Sequence, residues 1–198
     1  MQAWAQALKW GFGVALLHRL LLGVWLALVW GVVGASLPGV QVDFHTATAE
    51  IPRLETQVDE LVFGVWRRWD AVHYLDLATN GYRADFPGPT VFGVLTPFAI
   101  RAFDVLPGSL DLAAMIFETL AFGLALTLMY KVGETYYGDA ELGRWALIVT
   151  ALLPLSYFFA APLSEAIYLA MTLGVFYFAT QRRWVWAARS RWPRRGRT

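Results

Sequence analysis

Arg67-Arg68-Trp69-Asp70-Ala71-Val72-His73-Tyr74-Leu75-Asp76-Leu77-Ala78-Thr79-Asn80-Gly81-Tyr82 is the stretch that decides how this chain reads. Wound as a helix at about 100° per residue, it gathers Asp70, His73, Asp76 and Asn80 within about a third of the circumference. Ala71, Val72, Tyr74, Leu75 and Ala78 fill the opposite arc. Asn80-Gly81 supplies a stop, because glycine takes the left-handed conformation without steric cost. The pattern predicts an amphipathic helix lying on a membrane surface and holding a carboxylate toward water.

A membrane is expected from composition. Of 198 residues, 58% are hydrophobic and 16% charged, too apolar a balance for a soluble domain of this size. The chain has no cysteine, which excludes disulfides, thiolate metal sites and a catalytic thiol. His18, His45 and His73 are too scattered to indicate a zinc site. The net charge of +1 is unevenly laid out: arginines crowd residues 182–198, while most carboxylates lie between Asp43 and Asp104. Such a basic tail reads as a cytoplasmic anchor rather than as a nucleic-acid site.

Working outward, the charge-free run 20–37 follows a more polar lead and predicts a first span over about 14–37. A small-residue site at Gly34-Ala35-Ser36 offers the competing reading of a cleaved signal peptide, for which the run is long. Residues 38–108 are polar enough to form one external loop, with interfacial helices expected over 58–80 and 91–106. Further spans are predicted at 109–131, 144–161 and 162–181, with Pro154 breaking the third. Four spans place both termini in the cytoplasm. The fold class is therefore an all-α polytopic membrane protein, a single membrane domain.

Several residues invite chemistry. Asp70, beside Trp69 and one turn from His73 and Tyr74, could act as a general base or could cap a helix N-terminus. Ser164-Glu165 stands at the mouth of the fourth span, where a glutamate could serve a site or merely complement the helix dipole. Glu118 lies inside a span, an expensive place for a carboxylate unless it faces a cavity or bundle interior. Arg67, Arg68 and Arg101 could meet a lipid-linked phosphate or act only as interfacial anchors.

Three ordered blocks resemble the PIG-V-like membrane mannosyltransferases. Residues 68–82 resemble the signature R-W-D-x-x-H-Y-x-x-I-A-x-x-G-Y, with Tyr82 at its end. Residues 153–166, Leu-Pro-Leu-Ser-Tyr-Phe-Phe-Ala-Ala-Pro-Leu-Ser-Glu-Ala, are similar to F-P-x-S-F-F-x-x-A-x-Y-S-E-x. Residues 92–101 are similar to F-F-P-L-Y-P-L-L-I-R. Gly93, Val94 and Thr96 stand where that family usually has Phe, Pro and Tyr, and Leu163 replaces the Tyr before Ser-Glu. The carboxylates stay in place, while the pocket around them changes shape.

The resemblance implies the amino-terminal core of a GT-C glycosyltransferase, in a family whose members are commonly longer. It implies a polyprenyl- or dolichyl-phosphate mannose donor, a glycan or lipid acceptor and an inverting transfer. Asp70, His73 and Glu165 would be catalytic, with Trp69, Arg67, Arg68, Tyr74, Tyr82, Arg101, Ser164 and Glu118 around the substrates. The resemblance implies no particular cofactor, and a divalent metal is left open. The setting implied is a bacterial cell membrane, or the endoplasmic reticulum in a eukaryote. Two other classes compete: a transport or flippase-like protein with Glu118 and Glu165 along a polar path, and a non-catalytic membrane scaffold.

Overall fold

The computed structural model describes residues 2–36, 51–85, 88–105 and 107–181. The basic tail, His45 and the start of the predicted external loop lie outside them. Among the described residues the chain is entirely helical: α1 (Gln2–Ser36), α2 (Gln57–Phe63), α3 (Ala71–Asn80), α4 (Leu95–Phe103), α5 (Leu110–Tyr136), α6 (Ala140–Leu152) and α7 (Glu165–Thr180). Short 3-10 turns occupy Gly64–Trp66, Gly88–Val91 and Pro154–Phe159.

Among the described residues two helices are long and apolar enough to cross a bilayer, over Trp4–Val29 and Leu110–Tyr136. The 27 residues of α5 reach about 40 Å at about 1.5 Å per residue. By the same rule the 13 residues of α6 reach about 20 Å and the 16 of α7 about 24 Å, so both fall short of a hydrocarbon core of about 30 Å. The first apolar stretch begins earlier than the predicted 14–37, and it carries His18 and Arg19 within it. The predicted third span ends at Leu152. There Leu153 turns extended and Pro154, with no N–H to donate, opens a 3-10 turn.

α5 is the axis, packed against α1, α6 and α7 along its length and against α3 and α4 at its N-terminal end. With no water to expel between helices inside a bilayer, close packing has to hold them, and small residues permit it. At Gly11 a methyl group would meet the Thr127 amide at 2.6 Å and the Gly123 carbonyl at 2.8 Å. At Gly133 it would lie 2.5 Å from the Gly143 Cα. The outward face of α1 is apolar and open, with Leu20, Leu21, Val24, Trp25 and Leu28 about 60% exposed, as lipid contact requires.

The segment predicted as one helix over 58–80 is not one rod. α2 begins with a capping box between Thr56 and Asp59, tightens into the 3-10 turn and stops at Trp66. The chain then passes through Arg67 to Asp70 before α3 starts, and Trp69 is left-handed at φ 49°. α3 is also not a free surface helix. Ala71, Val72, Tyr74, Leu75, Asp76, Leu77 and Ala78 are all buried, because α4 and α5 pack on it. Asp76, expected on the wet face, is covered by Asn80 at 2.7 Å and Arg83 at 3.4 Å. The helix predicted over 91–106 is the nine-residue α4, preceded by a 3-10 turn.

Candidate functional site

The first turns of α3 and α7 meet at one end of the bundle, and Tyr74 is where they meet. Its side chain is hydrogen-bonded to Ser164, and it lies within electrostatic reach of Glu165, Asp70 and Glu118. Burial raises its pKa above the usual phenol value, the Ser164 bond opposes this, and the three carboxylates add to the rise. The phenol therefore stays protonated. Residues 70, 118, 164 and 165, far apart in sequence, thus all act on Tyr74.

Three other helix starts among the described residues are capped by their own side chains, while α4 opens at Val94, a helical residue with no capping group. Thr56 accepts from the Asp59 amide at 3.1 Å, Ser109 from Leu112 at 3.2 Å and Asp139 from Glu141 at 2.8 Å, all from extended N-cap backbones. Asp70 and Ser164 occupy the same positions at α3 and α7 and make no such bond. Both have helical backbones, at φ −68°, ψ −13° and φ −96°, ψ −6°, which turn the side chain away from the free amides. The Asp70 carboxylate is thus exposed and uncommitted, and capping does not account for it.

An aromatic wall backs this position. Trp69 meets Tyr157 edge-on at 5.6 Å and Phe158 at 5.3 Å. Tyr157 stacks on Trp66 at 5.5 Å and donates its hydroxyl to the Val65 carbonyl at 2.8 Å. Arg68 stands half-buried beside Tyr157, its pKa drawn down by burial. Glu118 is completely enclosed, and neither carboxylate oxygen has a hydrogen-bond partner. Arg19 approaches from α1. It donates to Thr119 at 3.0 Å and Met115 at 3.3 Å, lies 4.9 Å from the Trp66 ring, and leaves Nη1 buried without a partner.

Other predicted residues are elsewhere or already occupied. Arg67 is buried and clamped by Asp111 at 2.7 and 2.6 Å, with its third nitrogen on the Pro52 carbonyl at 2.6 Å. Arg101 lines a cleft of about 510 Å³ at the far end of α3, with Arg53, Asp104 and the Arg67–Asp111 pair. The His73 ring stacks on Phe92 at 5.1 Å, with Nδ1 buried and unpartnered. The Tyr82 hydroxyl is taken by the Phe92 carbonyl at 2.8 Å. Among the described residues no three His, Asp or Glu side chains gather to hold a metal.

Arg19, Asp111, Tyr157 and the His18–Ser156 pair, at 2.9 Å, were not singled out as site residues from sequence. The one sequence signal for Arg19 is a charge set among apolar neighbours in what the structure shows to be α1.

An all-α membrane protein with three carboxylates acting on one buried tyrosine is the class these features define. The chain belongs to the Mannosyltransferase (PIG-V) family, whose model matches residues 38–192, and is thus a glycosyltransferase of the mannosyltransferase kind. Comparison with curated proteins and with solved structures finds no match.

Proposed function

We propose that the chain carries the acidic site of a mannosyl transfer from a polyprenyl- or dolichyl-phosphate donor to a glycan or lipid hydroxyl on the extracytoplasmic face. The acceptor oxygen attacks the anomeric carbon, the bond from that carbon to the phosphate oxygen breaks, and the lipid phosphate leaves with its electrons. Asp70 takes the acceptor's proton, and the configuration inverts. Arg68, beside Tyr157 and next to Trp69 in the chain, is the cation assigned to the growing negative charge on the phosphate, while Arg101 stands in the other cleft. Glu165 and Ser164 hold sugar hydroxyls, and Trp69 and Tyr74 form the wall and floor.

The observation that carries this reading is the uncapped Asp70 carboxylate, exposed beside Trp69 and sharing Tyr74 with Ser164 and Glu165. A transport path through Glu118 and Glu165 finds less support, because Glu118 is fully enclosed. The test is incubation of membranes containing the chain with radiolabelled polyprenyl-phosphate mannose. Label should pass to an acceptor, and Asp70→Asn should abolish the transfer at equal expression. Transfer retained by Asp70→Asn would remove the base assignment.

A further inference from the structure

The residue before Asp70 has an unusual backbone. Trp69 is the one non-glycine residue with positive φ among the described residues, and a Cβ-bearing residue is held there only when its surroundings insist. Arg67–Asp111 and Phe158 hold parts of the loop around Trp69, and one further side chain from the α6–α7 connection reaches it at several points. Tyr157 touches the Asp70 loop in three ways: a 2.8 Å hydrogen bond to the Val65 carbonyl, a parallel stack on Trp66 with 9° between planes, and an edge contact on Trp69. The phenol fixes the near end of the loop, and the ring props the far end.

We propose that Tyr157 is a positioning residue for the transfer reaction. It clasps residues 65–69 so that Trp69 keeps its left-handed backbone and Asp70 is kept from capping α3. The inference rests on the reading of Asp70 as the base. Thr56, Ser109 and Asp139 show the relaxed alternative, in which an extended N-cap backbone brings the side-chain oxygen onto the first free amides. A loop released from Tyr157 lets Trp69 return to negative φ and lets Asp70 close on α3 in that manner, where its lone pairs are spent on backbone N–H groups. Tyr157 acts through the backbone of residues 65–70 and touches no reacting atom.

The test compares wild type, Tyr157→Phe and Tyr157→Leu as the full chain in detergent micelles. Hydrogen exchange at the amides of residues 66–72 should quicken by about tenfold or more in Tyr157→Leu and by less in Tyr157→Phe, which keeps the stack, while α5 stays protected. In the mannose-transfer assay, Tyr157→Leu should lower kcat by about 100-fold with donor KM within about threefold, and Tyr157→Phe should recover most of the loss. Unchanged exchange at 66–72, equal loosening of α5, or loosening with kcat intact would each overturn the proposal. Faster local exchange in a chain whose wild type transfers no mannose would instead remove the proposed reaction and leave the clasp standing.

Discussion

Arg67 and Asp111 are joined by two parallel hydrogen bonds, Nε to Oδ1 at 2.7 Å and Nη2 to Oδ2 at 2.6 Å, with both side chains at least 92% buried. This pair ties the Asp70 loop to the first turn of α5. Removing one partner strands a buried charge, so Asp111→Ala should lose about 3–5 kcal/mol, seen as a lower Tm in detergent. Arg67→Lys should also destabilise, since an ammonium cannot reproduce the planar fork. Below its own Tm it should keep donor KM within about threefold, unlike a phosphate ligand.

The crossing of α1 on α5 makes a separate prediction. A methyl at Gly11 would run into the Thr127 amide and the Gly123 carbonyl, both backbone atoms that cannot swing aside. Gly11→Ala should therefore push the helices apart and destabilise by about 1–3 kcal/mol. At Gly13, two residues on, a methyl group would meet nothing within 4 Å. Gly13→Ala should leave stability unchanged or raise it by up to about 1 kcal/mol. Thermal unfolding of the two variants side by side makes the comparison.

Much of this arrangement could be read from local pattern. Asn80-Gly81 does end α3, with Gly81 at φ 72°, and Pro154 does break the chain after α6. What escaped depends on contacts far along the sequence. The helix expected over 58–80 breaks at residues 67–70, where Asp111 holds Arg67 and Tyr157 holds Trp69, and periodicity senses neither. Asp76 looked solvated because its partner Arg83 lies beyond the end of the helix. Arg19 and His18 looked like a polar lead because only the α5 and α6–α7 partners, Thr119 and Ser156, make them interior.

Tyr74 gives a pH dependence. Its pKa is raised in the folded chain, burial first and the neighbouring carboxylates after it. A neutral acid with a raised value contributes stability in full below the unfolded phenol pKa of about 10, and loses it as pH climbs through the folded value. Stability measured by denaturant should fall above about pH 10, and Tyr74→Phe should show a shallower alkaline decline. An identical decline in both proteins would mean that Tyr74 titrates as if unfolded.

His73 sharpens the division of labour at the site. Sequence places it one turn after Asp70, which suits an imidazole that orients the base. In the structure Asp70 precedes the helix, and the His73 ring lies at 21° to Phe92, with Nδ1 enclosed among side chains that offer it no hydrogen bond. An orienting histidine has to spend a ring nitrogen on the carboxylate, as in a catalytic triad, and its loss then costs turnover about as heavily as loss of the base. A histidine that packs against Phe92 instead serves the packing around α3. His73→Phe keeps the stack and should hold kcat within about tenfold, with any change falling on acceptor KM. A fall of about 1,000-fold in kcat at unchanged KM would assign His73 to the proton transfer itself.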